Sequence, residues 1–176
     1  MNRYHTVGKR FWSNLLDGLV FLPLGFIEMG LFTLSLPKYI LITWLIVTYP
    51  LNWLYSVLMH AFYGQTLGKM ACGIKVLDVS EKTIGIRQAF LRDIFIIVVN
   101  TIFVAYAVYF VLNDIPRDGS EFERINIYFM IAIYAWLIAE IITCLTNWKR
   151  RAMHDFIAGT VVVRLDMLKS KEEPDH

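Results

Sequence analysis

Charge is scarce in this chain. Asp, Glu, Lys and Arg make up 18% of its 176 residues, against about 25% in soluble domains. The net charge is only +2 and no long basic run occurs, so a nucleic-acid partner is not expected. Cysteine is nearly absent. Cys72 and Cys144 stand far apart, give no zinc spacing, and are expected to be free, reduced thiols. His60 has no partner at metal-ligand spacing and reads as an interfacial hydrogen-bonding residue. His154-Asp155 lacks a serine or cysteine placed to complete a nucleophilic triad. In Gly64-Gln65-Thr66-Leu67-Gly68-Lys69, three residues separate the glycines where a phosphate loop has four, and Met70 follows the lysine where Ser or Thr is needed. That segment reads instead as a tight turn whose glycines allow close backbone approach. These absences leave no support for an enzyme, a cofactor or a metal centre.

Apolar residues are what the chain has. They make up 57% of it, with 12 Phe, nine Tyr and five Trp, the aromatics falling mostly near span ends as interface anchors. Four stretches, at about 11–36, 39–62, 94–112 and 125–147, are each long enough for the roughly 20 helical residues that cross a bilayer. The fold class expected is an all-α membrane protein of four transmembrane helices, a single membrane domain over 1–165 followed by a disordered tail over 166–176. The first stretch is preceded by Arg3, Lys9 and Arg10 but carries Asp17 and Glu28 and has no Ala-x-Ala site. It therefore reads as a retained span. Pro37-Lys38 leaves a very short turn to the second, so these two form an antiparallel hairpin.

The polar segment 63–93 is the largest loop. Residues 74–79 alternate and are β-prone, and two partners are open to them: 84–87 as a small hairpin, or the apolar, β-branched run 158–163, too short to cross a bilayer. Orientation follows from basic residues. Placing both termini with the 63–93 loop puts Arg3, Lys9, Arg10, Lys69, Lys75, Lys82, Arg87, Arg92, Lys149, Arg150, Arg151, Arg164, Lys169 and Lys171 on one side. Only Lys38, Arg117 and Arg124 remain opposite, with the acidic residues Asp114, Asp118, Glu121 and Glu123. Both termini are thus expected to be cytoplasmic.

The polar residues inside the spans need an explanation, because a charge at membrane depth is costly without a partner or a role. Arg10, Asp17 and Glu28 are spaced by 7 and 11, which returns each to within about 20° of one helical face, with Asn14 nearby. Glu140, Asn147 and Arg151 share a face if the last helix continues past Asn147. Two readings stand. In one, the charges are structural: Arg10 pairs with Asp93 or Asp155, or contacts lipid phosphate, and Asp17 pairs with Arg92 or Arg151. In the other, Asp17, Glu28 and Glu140 are proton- or cation-binding carboxylates, a role burial favours by raising the carboxyl pKa. Glu28 and Glu140 suit it better, having no cation near them in sequence.

Three segments in order carry a resemblance: Lys9-Arg10-Phe11 leading to Leu16-Asp17-Gly18; Gly64-Gln65-Thr66-Leu67-Gly68-Lys69 followed by Gly73-Ile74-Lys75-Val76; and Arg151-Ala152-Met153-His154-Asp155-Phe156 running on to Val163. The chain resembles the RDD family of small, mainly prokaryotic membrane proteins, named for one arginine and two aspartates. Carried across, the arginine is Arg10, the first aspartate Asp17 and the second Asp155, with Asp93 the other candidate. The resemblance implies a prokaryotic inner-membrane location and a transport role, with sodium/proton antiport proposed for some members. Two functions are carried forward: a transport component, most concretely a cation/proton exchanger acting as a homo-oligomer or with another membrane protein, and a non-transporting scaffold or accessory subunit.

Overall fold

The computed structural model describes residues 3–34, 36–115 and 119–169. Arg117, Asp118 and Lys171, used in the orientation count, lie outside the described residues. So does the expected tail from 170 onward; before it, Asp166–Lys169 forms a short helical turn.

Four helices are long and apolar enough to cross a bilayer: α1 (Val7–Thr33), α2 (Lys38–Tyr63), α4 (Ile86–Leu112) and α5 (Ser120–Thr146). The short helices α3 (Leu67–Ala71), α6 (Met153–Ala158) and α7 (Asp166–Lys169) and strands β1 (Ile74–Asp78) and β2 (Thr160–Arg164) complete the fold. All four helices start before their apolar stretches because hydropathy marks only the part that faces lipid, while α1 and α5 stop at Thr33 and Thr146, short of the expected 36 and 147. α4 starts eight residues before 94, with the Gln88 side chain accepting from the Gly85 N–H at its start. α5 starts with Glu121 and Glu123 in its first turn, where the helix dipole favours acids.

α2 ends at Gly64, whose φ of 69° is the left-handed cap that frees the chain to turn. The chain then doubles back through α3, and Gly68 lies against α1 so closely that a Cβ there would stand 2.1 Å from the Ser13 carbonyl oxygen. β1 pairs antiparallel with β2, Ile74 opposite Arg164 and Asp78 opposite Thr160. Of the two partners open to 74–79, the C-terminal run is therefore the one used. The 84–87 segment does not pair, because the chain enters α4 at Ile86 and Ile84 packs into the core.

The sheet is buried on both faces. Ile74, Val76 and Val162 pack with Val57 of α2 and Ala89 of α4. Leu77, Val161 and Val163 pack under Tyr4, with Leu168 of α7 beside them. Each fully buried valine or isoleucine here contributes about 1.5–3 kcal/mol. The Arg164 N–H donates to the Arg3 carbonyl at 3.1 Å, so both described ends of the chain meet at this end of the bundle. Away from it the pattern inverts: Phe26, Met29, Tyr128 and Ile138 point outward, as lipid-facing side chains do. α5 joins α4 through aromatic pairs, Phe95 stacked on Trp136 at 3.9 Å and Phe103 tilted against Phe129 at 4.7 Å. The chain is a multi-pass integral membrane protein.

Candidate functional site

At the sheet end Arg10 and Arg92 converge on one carboxylate, Asp155. It is the third residue of α6, fully buried, and accepts the Ala152 N–H at 3.0 Å. One oxygen takes Arg10 Nη1 of α1 at 2.5 Å; the other takes Arg92 Nη1 of α4 and the Thr160 hydroxyl at 3.0 Å. Burial alone would raise the Asp155 pKa, but the Arg10 and Arg92 guanidiniums outweigh it and hold the carboxyl well below the ordinary 3.8. Arg10 is itself fixed by Thr6 Oγ1 at 3.1 Å and the Arg150 carbonyl at 3.0 Å. Of the partners open to Arg10, it is Asp155 that it takes, 145 residues away.

Asp17 makes a second centre. It accepts from the Tyr55 hydroxyl at 2.9 Å, the Thr66 hydroxyl at 2.5 Å and the Gly68 N–H at 2.8 Å. No salt bridge of Asp17 with Arg92 or Arg151 forms among the described residues. Its carboxylate instead clamps α3 to α1 and α2, and Gly68 permits it, since a Cβ there would sit 2.9 Å from Asp17 Cγ. Arg151 is likewise committed to backbone: Nε to the Thr160 carbonyl at 2.9 Å and Nη2 to the Asp155 carbonyl at 2.8 Å. α5 stops at Thr146, so Glu140, Asn147 and Arg151 do not share a helical face. The Asn147 side chain still reaches both the N–H and the carbonyl of Arg151, at 2.8 and 2.7 Å.

Glu140 meets His154. The His154 Nδ1 lies 2.6 Å from Glu140 Oε2, and the His154 N–H donates to Glu140 Oε1 at 3.1 Å. Arg92 Nη2 sits 2.8 Å from His154 Nε2. A guanidinium only donates, so Nε2 accepts and Nδ1 carries the proton toward Glu140. A relay of contacts thus runs from Glu140 through His154 and Arg92 to Asp155 and Arg10.

Beside this relay opens a cavity of about 400 Å³, lined by Asn14, Asp17, Asn52, His60, Lys69, Arg92, Asp93, Glu140 and His154 among others. An adjoining cavity of about 290 Å³ lies between α1 and α5, walled by Phe11, Leu137 and Ile141 and sharing Lys69, Arg92, Glu140 and His154. Lys69 is buried, and burial first, then the Arg92 charge, bring its ammonium pKa down to about 8 against the pull of Asp17 and Asp93. Asp93 Oδ2 is buried and has no hydrogen-bond partner among the described residues. Glu28 belongs elsewhere. It lines a separate cavity of about 370 Å³ with Thr48, Tyr49 and Asn100, its Oε1 3.4 Å from the Tyr49 hydroxyl. The two polar cavities share Phe21, Asn52 and Ile96 as walls.

Sequence reasoning missed Lys69, Tyr55 and Thr66. The signal for them was present in the 64–69 segment: Thr66 three residues before Lys69, its side chain capping the Lys69 N–H, with glycines on both sides for close approach. No group of three metal-ligating side chains converges among the described residues.

The family model described as RDD matches residues 4–159. Neither the curated proteins nor the solved structures give a match. The matched range holds Arg10, Asp17 and Asp155, the residues around which the two polar clusters are built. The chain belongs to the RDD family of integral membrane proteins.

Proposed function

We propose that the protein is a transport component of a prokaryotic inner membrane, most concretely a cation/proton exchanger with both termini in the cytoplasm. The observation that carries this reading is the 400 Å³ cavity among the helices, whose carboxylates include Asp93, with an oxygen that has no partner among the described residues. A cavity lined with ionisable groups among membrane-crossing helices is the usual mark of an ion path. The second polar cavity, at Glu28, shares walls with the first and extends the polar line along α1. In this reading Asp17, Glu28 and Glu140 line the path that protons and cations follow, and Arg10 and Arg92 set its field through Asp155. Four helices enclose little by themselves, so a second copy or another membrane protein completes the path. The alternative, a non-transporting scaffold or accessory subunit, draws on the saturated Arg10–Asp155–Arg92 cluster, which serves a purely structural end. Proteoliposomes separate the two. Exchange predicts collapse of an imposed pH gradient on adding NaCl, reduced in folded Glu28→Gln and Glu140→Gln. Absence of flux in the purified protein, or flux surviving both changes and Asp17→Asn, overturns the exchanger and leaves a co-purifying partner as the thing to seek.

A further inference from the structure

Three buried side-chain atoms without a hydrogen-bond partner among the described residues line the same cavity: Asp93 Oδ2, Arg92 Nε and His60 Nε2. Buried polar groups in folded proteins are paired with few exceptions, and each exception asks for a reason. Lys69 enters the same cavity from α3. It is 7% exposed, its ammonium reaches only Thr66 Oγ1 at 3.5 Å, and it forms no salt bridge among the described residues.

The charged and titratable groups around Lys69 are Arg10 and Asp17 from α1, Tyr55 and His60 from α2, Arg92 and Asp93 from α4, Glu140 and Cys144 from α5 and His154 from α6. Most are committed. Asp17 takes three donors, Arg10 and Arg92 hold Asp155, and Glu140 holds His154. That leaves one ammonium and one carboxylate lining one cavity: Lys69, buried, and Asp93, half-buried with its Oδ2 enclosed, opposite in charge and in no salt bridge with each other.

We propose that Lys69 and Asp93 are the exchange pair: the Lys69 proton and a monovalent metal cation alternate as the positive charge that balances Asp93. This rests on the exchanger reading and names its site. The step balances. The Lys69 N–H bond breaks, the electron pair stays on nitrogen, the proton leaves to solvent, and one cation enters beside the Asp93 carboxylate. A buried site resists any change in net charge, because uncompensated charge is costly where the dielectric is low. One proton therefore leaves for each cation that enters. Asn14 and Asn52 line the same space and supply the neutral oxygens that alkali cations accept. Burial also puts the Lys69 titration near pH 8, within reach of ordinary cytoplasmic conditions.

The test uses purified protein in detergent, titrated with NaCl against choline chloride in weakly buffered solution from pH 7 to 9. Heat of binding and pH change are recorded together. Wild type is expected to release one proton per Na⁺ and to gain about tenfold in apparent affinity per pH unit below about 8, levelling above it. Lys69→Arg keeps a charge that does not titrate, so Na⁺ binding is lost at every pH. Lys69→Gln removes that charge, so Na⁺ binds with pH-independent affinity and releases no proton. Asp93→Asn abolishes binding in both backgrounds. Unchanged elution and melting temperature establish that each variant is folded, and the two lysine variants act in opposite directions. Wild-type behaviour in Lys69→Arg, proton release in Lys69→Gln, or no Na⁺ binding by wild type overturns the pair. Flux in proteoliposomes is scored apart: flux that survives Lys69→Arg leaves the exchanger and removes the pair, and binding with proton release but no flux leaves the pair and removes the exchanger.

Discussion

Asp155 pairs with Arg92 and Asp93 follows Arg92 in the chain, and the two are treated in opposite ways. Asp155 has four donors on its two oxygens, two of them guanidiniums. Asp93 has a buried oxygen with none among the described residues. A carboxylate with every lone pair occupied is a fastener: it ties α1, α4 and α6 together and has nothing left to bind with. One left unpaired beside an unpaired lysine keeps its capacity for a mobile partner. The comparison separates charges that hold this fold from charges free to act within it.

The largest expected effect is at the fastener. Asp155→Asn leaves Arg10 and Arg92 facing each other uncompensated, and removing one member of a buried ion pair costs about 3–5 kcal/mol. Thermal unfolding in detergent should show a lost or strongly lowered transition. In wild type the same contribution is pH-dependent with a definite sign. The folded pKa lies below 3.8, so the stabilisation is full above that value and fades only as the pH falls well beneath it. A wild-type melting curve for Asp155→Asn would break the comparison.

Next comes Gly68→Ala. A methyl group placed 2.1 Å from the Ser13 carbonyl must push α3 off α1. Overpacking of this kind costs about 1–3 kcal/mol. The shift also pulls the Gly68 N–H and Thr66 hydroxyl away from Asp17, so Asp17→Asn in the Gly68→Ala background should cost less than in wild type. A double-mutant cycle by thermal melting measures this, and simple additivity would show that the two do not act together.

The smallest effect is expected at Asp93. Asp93→Asn removes a carboxylate that holds no hydrogen bond among the described residues and ties no elements together, so its cost in stability should stay well below the roughly 3–5 kcal/mol expected at Asp155. A loss as large as that of Asp155→Asn would mean Asp93 is a fastener too.

Much of the architecture was legible beforehand. Four apolar stretches gave four helices, because crossing length and hydropathy are properties of a segment alone. The stripe of Arg10, Asp17 and Glu28 reads directly from helical period. It places Arg10 and Asp17 against protein, while Glu28 diverges to its own cavity 11 residues further along. Ends were less legible: α4 begins at Ile86 and α5 at Ser120, since polar first turns continue a helix without adding hydropathy. Lys69 was passed over because a glycine-flanked segment was read for phosphate binding and then as a turn, and nothing local says that a turn folds back under the bundle.

Composition and period thus determined by themselves that the chain spans a membrane four times and that its acids sit on particular helical faces. Tertiary structure decided what those faces meet. Arg10 finds Asp155 across 145 residues, β1 finds β2 rather than its neighbour, and Asp17 finds hydroxyls and an amide instead of an arginine. Helical period sets a direction around one axis. The depth, rotation and approach of the next element, down to the missing Cβ of Gly68, set which charge is filled and which is left open.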